Sequence, residues 1–340
     1  MRTKMCVLGA ITALTLAACS GNGDADGSTD TETDPGTDTA TGEETGDETG
    51  DETGELTEIM MGVLPIGPSA ALQLGVDEGI FEDHGFDVTL ESGQGGAALL
   101  PAVVSGQMEF AISNPLSIML ARGEGLDVRM VTGYSHALTD GVDINSIMAM
   151  SDTGISSPAD LEGKTVAVNT LRTMGEVSIN ETLAQAGGDP SSIEYVEMGF
   201  PDMPAALESG NIDVAWVPEP FQTILQGAGA EIISHTFQDT MPGVATMAVI
   251  TSGDLVESDP DLVQRFVTAV DEVTAFSQDN PDLVRDTMVT FLEMDEGLAQ
   301  VVLLEGFGAE MDREAMQSLA DLSLEYGVLS EPVDMDSFMP

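Results

Sequence analysis

Four stretches set polar, hydrogen-bonding side chains where an apolar run of strand length gives way to a helical pattern. Ser113 and Asn114 close one run and stand directly before Pro115. Asn169-Thr170-Leu171-Arg172-Thr173-Met174-Gly175 follows a second. Glu219 lies in Trp216-Val217-Pro218-Glu219-Pro220, and Gln94 in Ser92-Gly93-Gln94-Gly95-Gly96. In parallel α/β sheets, ligands bind beyond the carboxyl ends of the strands, where each new helix offers unpaired N–H groups suited to an anion. The junctions therefore mark one cleft. Ser69, which caps the first helix, faces the same cleft. Ser113 and Asn114 can hydrogen-bond a ligand oxygen or cap the helix at Pro115, and a cap at a cleft can do both. The 169–175 turn is the best anion cradle in the chain. Thr170 and Thr173 add hydroxyls, and Gly175 lets backbone approach closely. An ordinary strand-to-helix turn has the same composition, and Arg172 either neutralises a sulfonate or carboxylate or points to solvent. Glu219 would receive an amine or another donor, or act as a favourable acid at a helix start. If both sites touch the ligand, it has a donor end and an anionic end, as in an aminosulfonate. The Gln94 loop lacks the lysine and the GxGxxG spacing of a nucleotide-binding loop.

Other chemistries are excluded more firmly. The histidines are His84, His136 and His235, none within helical spacing of another, so no metal cluster is expected from them. No GxSxG or HExxH occurs. The two cysteines, Cys6 and Cys19, both lie near the start. The rest of the chain can form no disulfide, CxxC zinc site or cysteine nucleophile, and no cofactor is expected. Of 60 acidic and 9 basic residues, 14 and 2 precede residue 59, which leaves the remainder near −39. Such a field repels phosphate backbones, so nucleic acid is not a partner. It reads as adaptation to a salty habitat rather than as function.

The elements that must position these residues follow a leader and a tether. Arg2 and Lys4 precede an apolar run from Met5 to Ala18 that ends Leu16-Ala17-Ala18-Cys19. This is the shape of a secretory signal over 1–18, too short for a permanent span. It resembles a bacterial lipobox, which implies lipid on Cys19. Residues 19–56 are acidic and rich in Gly and Thr, a composition that forms no core. Their flexible reach is roughly 30–36 Å.

From residue 57, strand runs and helices alternate: Glu58–Leu64, Asp87–Glu91, Met108–Ser113, Asp127–Tyr134, Ser146–Met150, Thr165–Asn169, Ser192–Met198, Val214–Val217, Glu231–His235 and Ala245–Thr251. This rhythm predicts an α/β fold with mostly parallel sheets. After Ser252 the pattern is helical only. Asp259-Pro260 and Asn280-Pro281 set a capping side chain before a proline, Leu262, Phe266, Val270, Val273 and Phe276 form one stripe, and Gly327 closes the last helix.

The stretches AALQLGVDEGIFEDHGFDV (70–88), GQGGAALLPAVVSGQMEFAISN (93–114), ISSPADLEGKTVAV (155–168) and MPAALESGNIDVAWVPEPF (203–221) resemble the nitrate/sulfonate/taurine-type, and thiamine-pyrimidine-type, substrate-binding proteins of ABC transporters. They fall in that family's order from about 58 to 336. The resemblance implies a two-lobed periplasmic-binding-protein-like clamshell of type II, with ligand in the cleft. Its lobes would be 57–150 plus 248–340 and 151–247, joined by two crossing strands near 146–153 and 245–252. It further implies a monomer outside the membrane, attached through lipid alone. Such a protein would deliver a small organic anion, sulfonate- or taurine-like (nitrate or a pyrimidine being alternatives), to permease and ATPase subunits. Two other classes share the scaffold: biosynthetic enzymes of pyrimidine or menaquinone type, and ligand sensors without a transporter. The leader and the missing thiol weigh against the enzymes, so no catalytic residue is expected.

Overall fold

The structure, a computed structural model, describes residues 55–93 and 95–340. The signal segment, Cys19, nearly all of the tether and Gln94 lie outside these residues. The strands are β1 (Thr57–Val63), β2 (Phe86–Ser92), β3 (Phe110–Ser113), β4 (Val128–His136), β5 (Asn145–Met150), β6 (Thr165–Val168), β7 (Glu194–Glu197), β8 (Val214–Pro218), β9 (Ala230–Ser234), β10 (Ala245–Ser252) and β11 (Gly306–Phe307). They form a first sheet in the order β11-β4-β10-β3-β1-β2 and a second in the order β7-β6-β8-β5-β9. Central β3 and β8 bury every residue, because helices cover both faces of the sheet. In β1 the residues Ile59, Met61 and Val63 point inward.

The sheets are mixed rather than mostly parallel. Strands β2, β1 and β3 run parallel, as do β7, β6 and β8. Strand β10 runs against β3 and β4, and β5 against β8 and β9. Both reversed strands are the first to follow a passage between the sheets. A chain arriving from the other lobe enters at the cleft, whereas a strand reached through a helix starts at the far edge. The passages span 137–144 and 241–244, earlier than the sequence suggests. Strand β5 belongs to the second sheet and all of β10 to the first. A run such as Ser146–Met150 is equally apolar in either lobe, and only its pairing assigns it. At the hinge, the Ala137 N–H donates to the Val244 carbonyl at 2.9 Å.

The helix Pro260–Asp279 locks the C-terminal part onto the first sheet. Asp259 caps it, accepting from Leu262 N–H at 3.0 Å. Its Phe266 ring stacks on Phe110 with centroids 3.8 Å apart and meets Phe81 and Phe86. Asn280 does not cap the following helix. Its amide instead donates back to the Phe276 carbonyl at 2.8 Å and ends the preceding one. Gly327, at φ +68°, follows the helix Arg313–Glu325, as a left-handed helix stop does.

Candidate functional site

Between the two sheets lies a small cavity of about 40 Å³. Its walls are largely apolar. Leu64 and Ile66 come from the loop after β1; Met174, Phe200, Trp216 and Phe237 come from the second lobe. The Trp216 indole N–H donates to Thr236 Oγ1 at 3.0 Å, and Phe237 meets the ring edge-on at 5.6 Å. These contacts hold the aromatic wall rigid. Among the described residues, six polar ones reach the cavity: Asn114, Asn145, Asn169, Thr173, Thr246 and Glu305. Among the described residues no lysine, arginine or histidine lines it.

The lobes touch across this space. A Cβ on Gly95 would stand 2.9 Å from Thr170 Oγ1, so the second lobe closes onto bare backbone. Gly67 N–H donates to the Glu219 carbonyl at 3.2 Å. Away from the hinge, Arg172 donates to the carbonyls of Gly327 and Val328 at 3.3 and 3.2 Å, and the Tyr326 hydroxyl to Glu181 at 2.7 Å. The arrangement is that of a closed clamshell.

Asn114 stands at the cavity wall. It caps the Pro115–Gly123 helix, accepting from Ser117 N–H at 2.9 Å, and it lines the cavity. Ser113 is buried with its hydroxyl unpartnered, packed where a Cβ on Gly96 would approach within 2.6 Å. Thr173 lines the cavity and donates to the Thr170 carbonyl at 3.0 Å, whereas Thr170 itself faces an outer groove. Gly175 makes room for the Trp216 ring, which lies 3.0 Å from where a Cβ would sit. Ser69 is not the helix cap. Its hydroxyl accepts from Leu64 N–H at 3.3 Å and ties off the loop after β1.

Two corrections change the chemistry. The N–H groups of Leu171 and Arg172 in the 169–175 cradle donate to the chain's own carboxylates, Glu197 at 2.9 Å and Glu176 at 2.7 Å. The turn does bind anions, but it is filled from within, and Arg172 (φ 57°) turns its guanidinium to the other lobe. Glu219 lies outside the cavity lining. It accepts from Thr223 N–H and Oγ1 at 3.1 and 2.8 Å and from Leu303 N–H at 3.4 Å. It thus joins the lobes, and burial pushes its carboxyl above the usual range.

The carboxyl that does reach the cavity is Glu305, which the sequence reading passed over. It directly precedes β11, a strand of two residues inside a segment of helical pattern, with no periodicity to reveal it. Strand β11 pairs with His136 and Ser135 of β4, so Glu305 is held at the hinge. The Thr246 hydroxyl of β10 donates to Glu305 Oε2, and Thr246 is 2.8 Å from Ser135 Oγ. Glu305 is 4% exposed, and Oε1 has no partner. Burial pushes its carboxyl up to about 8, with nearby Asp143 adding to the effect. The fold therefore favours its protonated form. Asn145 and Thr246 carry no such signal either. Asn169 sits inside the cradle motif, while Asn145 and Thr246 begin strands just beyond the passages.

Compared with known proteins, residues 69–283 match a family model described as NMT1/THI5 like. The chain belongs to the NMT1/THI5-like family. A relative in Halalkalibacterium halodurans, a formylaminopyrimidine-binding protein, is 23% identical over 237 residues, 68% of this chain and 69% of that one. The taurine-binding periplasmic protein of Escherichia coli is 26% identical, over 68% of each. Among solved structures, the alkanesulfonate-binding protein SsuA of Xanthomonas axonopodis pv. citri, bound to MOPS, superposes with a TM-score of 0.68 at 15% identity, covering 84% of this chain and 96% of that one. The desulfurization enzyme DSZB superposes at 0.61 with 18% identity over 83% and 96%. The NMT1/THI5-like chain thus has the two-lobed periplasmic-binding-protein-like fold, a scaffold that carries both binders and an enzyme.

Proposed function

We propose that this chain is the solute-binding component of an ABC importer. It is held outside the membrane by lipid on Cys19, works as a monomer, and closes around a small organic molecule that it passes to permease and ATPase subunits. The observation that carries this reading is the enclosed, aromatic-walled cavity between two lobes that meet on both sides of it. Ligand would shift the lobes toward this closed form by its differential affinity for closed over open. Relatives named for formylaminopyrimidine and taurine support solute capture. Among the described residues no helix is long and apolar enough to cross a membrane.

For the cargo, the sulfonate reading draws on the relatives' names and on the Pro115 helix start at the cavity wall. Against it stand the occupied cradle and a lining without a basic residue. We read the protein as a binder and not an enzyme: both cysteines precede the described residues, and relatives named for formylaminopyrimidine and taurine are binding proteins.

The test is thermal denaturation of the full chain with sulfonates, taurine, nitrate, pyrimidines and amides. A ligand at about 100 times its dissociation constant adds roughly 2.7 kcal/mol, an easily measured rise. Membrane fractionation of wild type and Cys19→Ala tests the anchor. No stabilisation by any class, together with Cys19→Ala remaining in the membrane fraction, would overturn the reading.

A further inference from the structure

We propose that Glu305 contacts the cargo, and that the cargo is an uncharged organic molecule presenting a hydrogen-bonding group to that carboxyl. This deepens the solute-binding reading and rests on it.

Four observations carry the proposal. Glu305 lines the cavity and is 4% exposed, with one oxygen committed and the other free. A buried oxygen without a partner costs about 1–3 kcal/mol, and a bound molecule in an enclosed space can relieve that cost. Thr246, on the strand that returns from the second lobe, holds Oε2 and fixes the direction in which Oε1 is offered. Secondly, the remaining polar lining consists of amides and hydroxyls (Asn114, Asn145, Asn169, Thr173 and Thr246). These pair with neutral polar groups of either sense. Thirdly, among the described residues nothing in the lining would neutralise a fixed negative charge, and burying such a charge unpaired is costly. The amides best suited to an anion are already bonded to Glu176 and Glu197. Finally, Phe200, Trp216 and Phe237 favour a flat apolar body. With Oε2 bonded to Thr246, Oε1 is the oxygen left to meet the ligand's hydrogen-bonding group.

The experiment is calorimetric titration of the full chain with uncharged probes (benzamide, nicotinamide, thymine) and with sulfonates (benzenesulfonate, ethanesulfonate, taurine). Wild type, Glu305→Gln, Glu305→Leu and Glu305→Asp are compared, each first checked for a cooperative thermal transition. Benzamide and benzenesulfonate share a ring and differ in charge. The expected result is binding of at least one uncharged probe in preference to the sulfonates. Its affinity should fall tenfold or more in Glu305→Leu and stay within about threefold in Glu305→Gln, which keeps a donor and an acceptor. If Glu305→Leu does not fold, Glu305→Asp, which withdraws the oxygen by one methylene, should show the same loss. Uncharged probes that bind the variants as tightly as wild type would overturn the role of Glu305 and leave solute capture standing. Binding of sulfonates alone would overturn the cargo class and likewise leave solute capture standing. Absence of binding by every probe would overturn the proposal and count against solute capture as well.

Discussion

Replacing Glu305 by glutamine should change the pH dependence of stability more than its value in acid. The carboxyl titrates near 8 in the fold and near 4.5 in an exposed chain. Below about 4.5 both states hold the proton, and the group gives no slope. Between the two values only the folded state holds it, so unfolding releases a proton and stability falls as pH rises. At about 1.4 kcal/mol per pH unit, the window of roughly 3.5 units amounts to a loss on the order of 5 kcal/mol by pH 8. Glutamine has the same shape, can accept from Thr246 and does not titrate. Asp143, also raised by burial, is common to both proteins, as are Tyr134 and His136 on β4. Subtracting the two stability curves therefore leaves Glu305 together with its coupling to Asp143 and Tyr134. Urea unfolding at pH 5, 6, 7 and 8, at fixed high salt, should show Glu305→Gln gaining on wild type by more than 1 kcal/mol per unit above pH 6. Parallel curves would refute the reasoning, because a Glu305 ionised throughout, or hydrated, gives no such divergence.

Phe266→Ala should cost about 3–5 kcal/mol in urea unfolding, since Phe266 is fully buried against three rings; a cost under 1 kcal/mol would contradict the packing. Gly95→Val should hold the lobes apart, because the added carbons meet Thr170; small-angle scattering should show a larger radius of gyration, and an unchanged radius would count against it. Tyr326→Phe removes the bond to Glu181 far from the cavity, and bound probe should leave several-fold faster by stopped-flow with little change in association rate. Glu176→Ala with Glu197→Ala should free the cradle amides and raise ethanesulfonate affinity over wild type in calorimetry, and no gain would mean that the turn holds its shape without offering its donors.

Much of this architecture is legible from periodicity. The first ten strands lie within about two residues of their expected positions, because β-branched runs between Gly and Pro turns have few other solutions. The cap at Asn114 and the stop at Gly327 follow from local chemistry as well. What local chemistry does not carry is partnership. Glu219 and Asn114 occupy equivalent junctions, yet one is consumed by Thr223 and Leu303 and the other reaches the cavity. Asn280 has the sequence of a cap and serves the preceding helix instead. Glu305 depends on a two-residue strand whose pairing spans about 170 positions, and no window of sequence contains both halves of that contact. The sequence shows where a cleft must form, and tertiary pairing decides which polar groups face it.

The carboxylates that fill the 169–175 turn have an evolutionary meaning. Glu176 and Glu197 lie outside the cavity lining, yet they decide whether the donors beside it are free. On this scaffold, discrimination between charged and neutral cargo can be rewritten by one or two substitutions behind the wall, leaving every residue that touches the cargo in place. A lineage could cross from one class of nutrient to another through variants that stay folded and closed at each step. Comparing only the contact residues of two such proteins would miss the change.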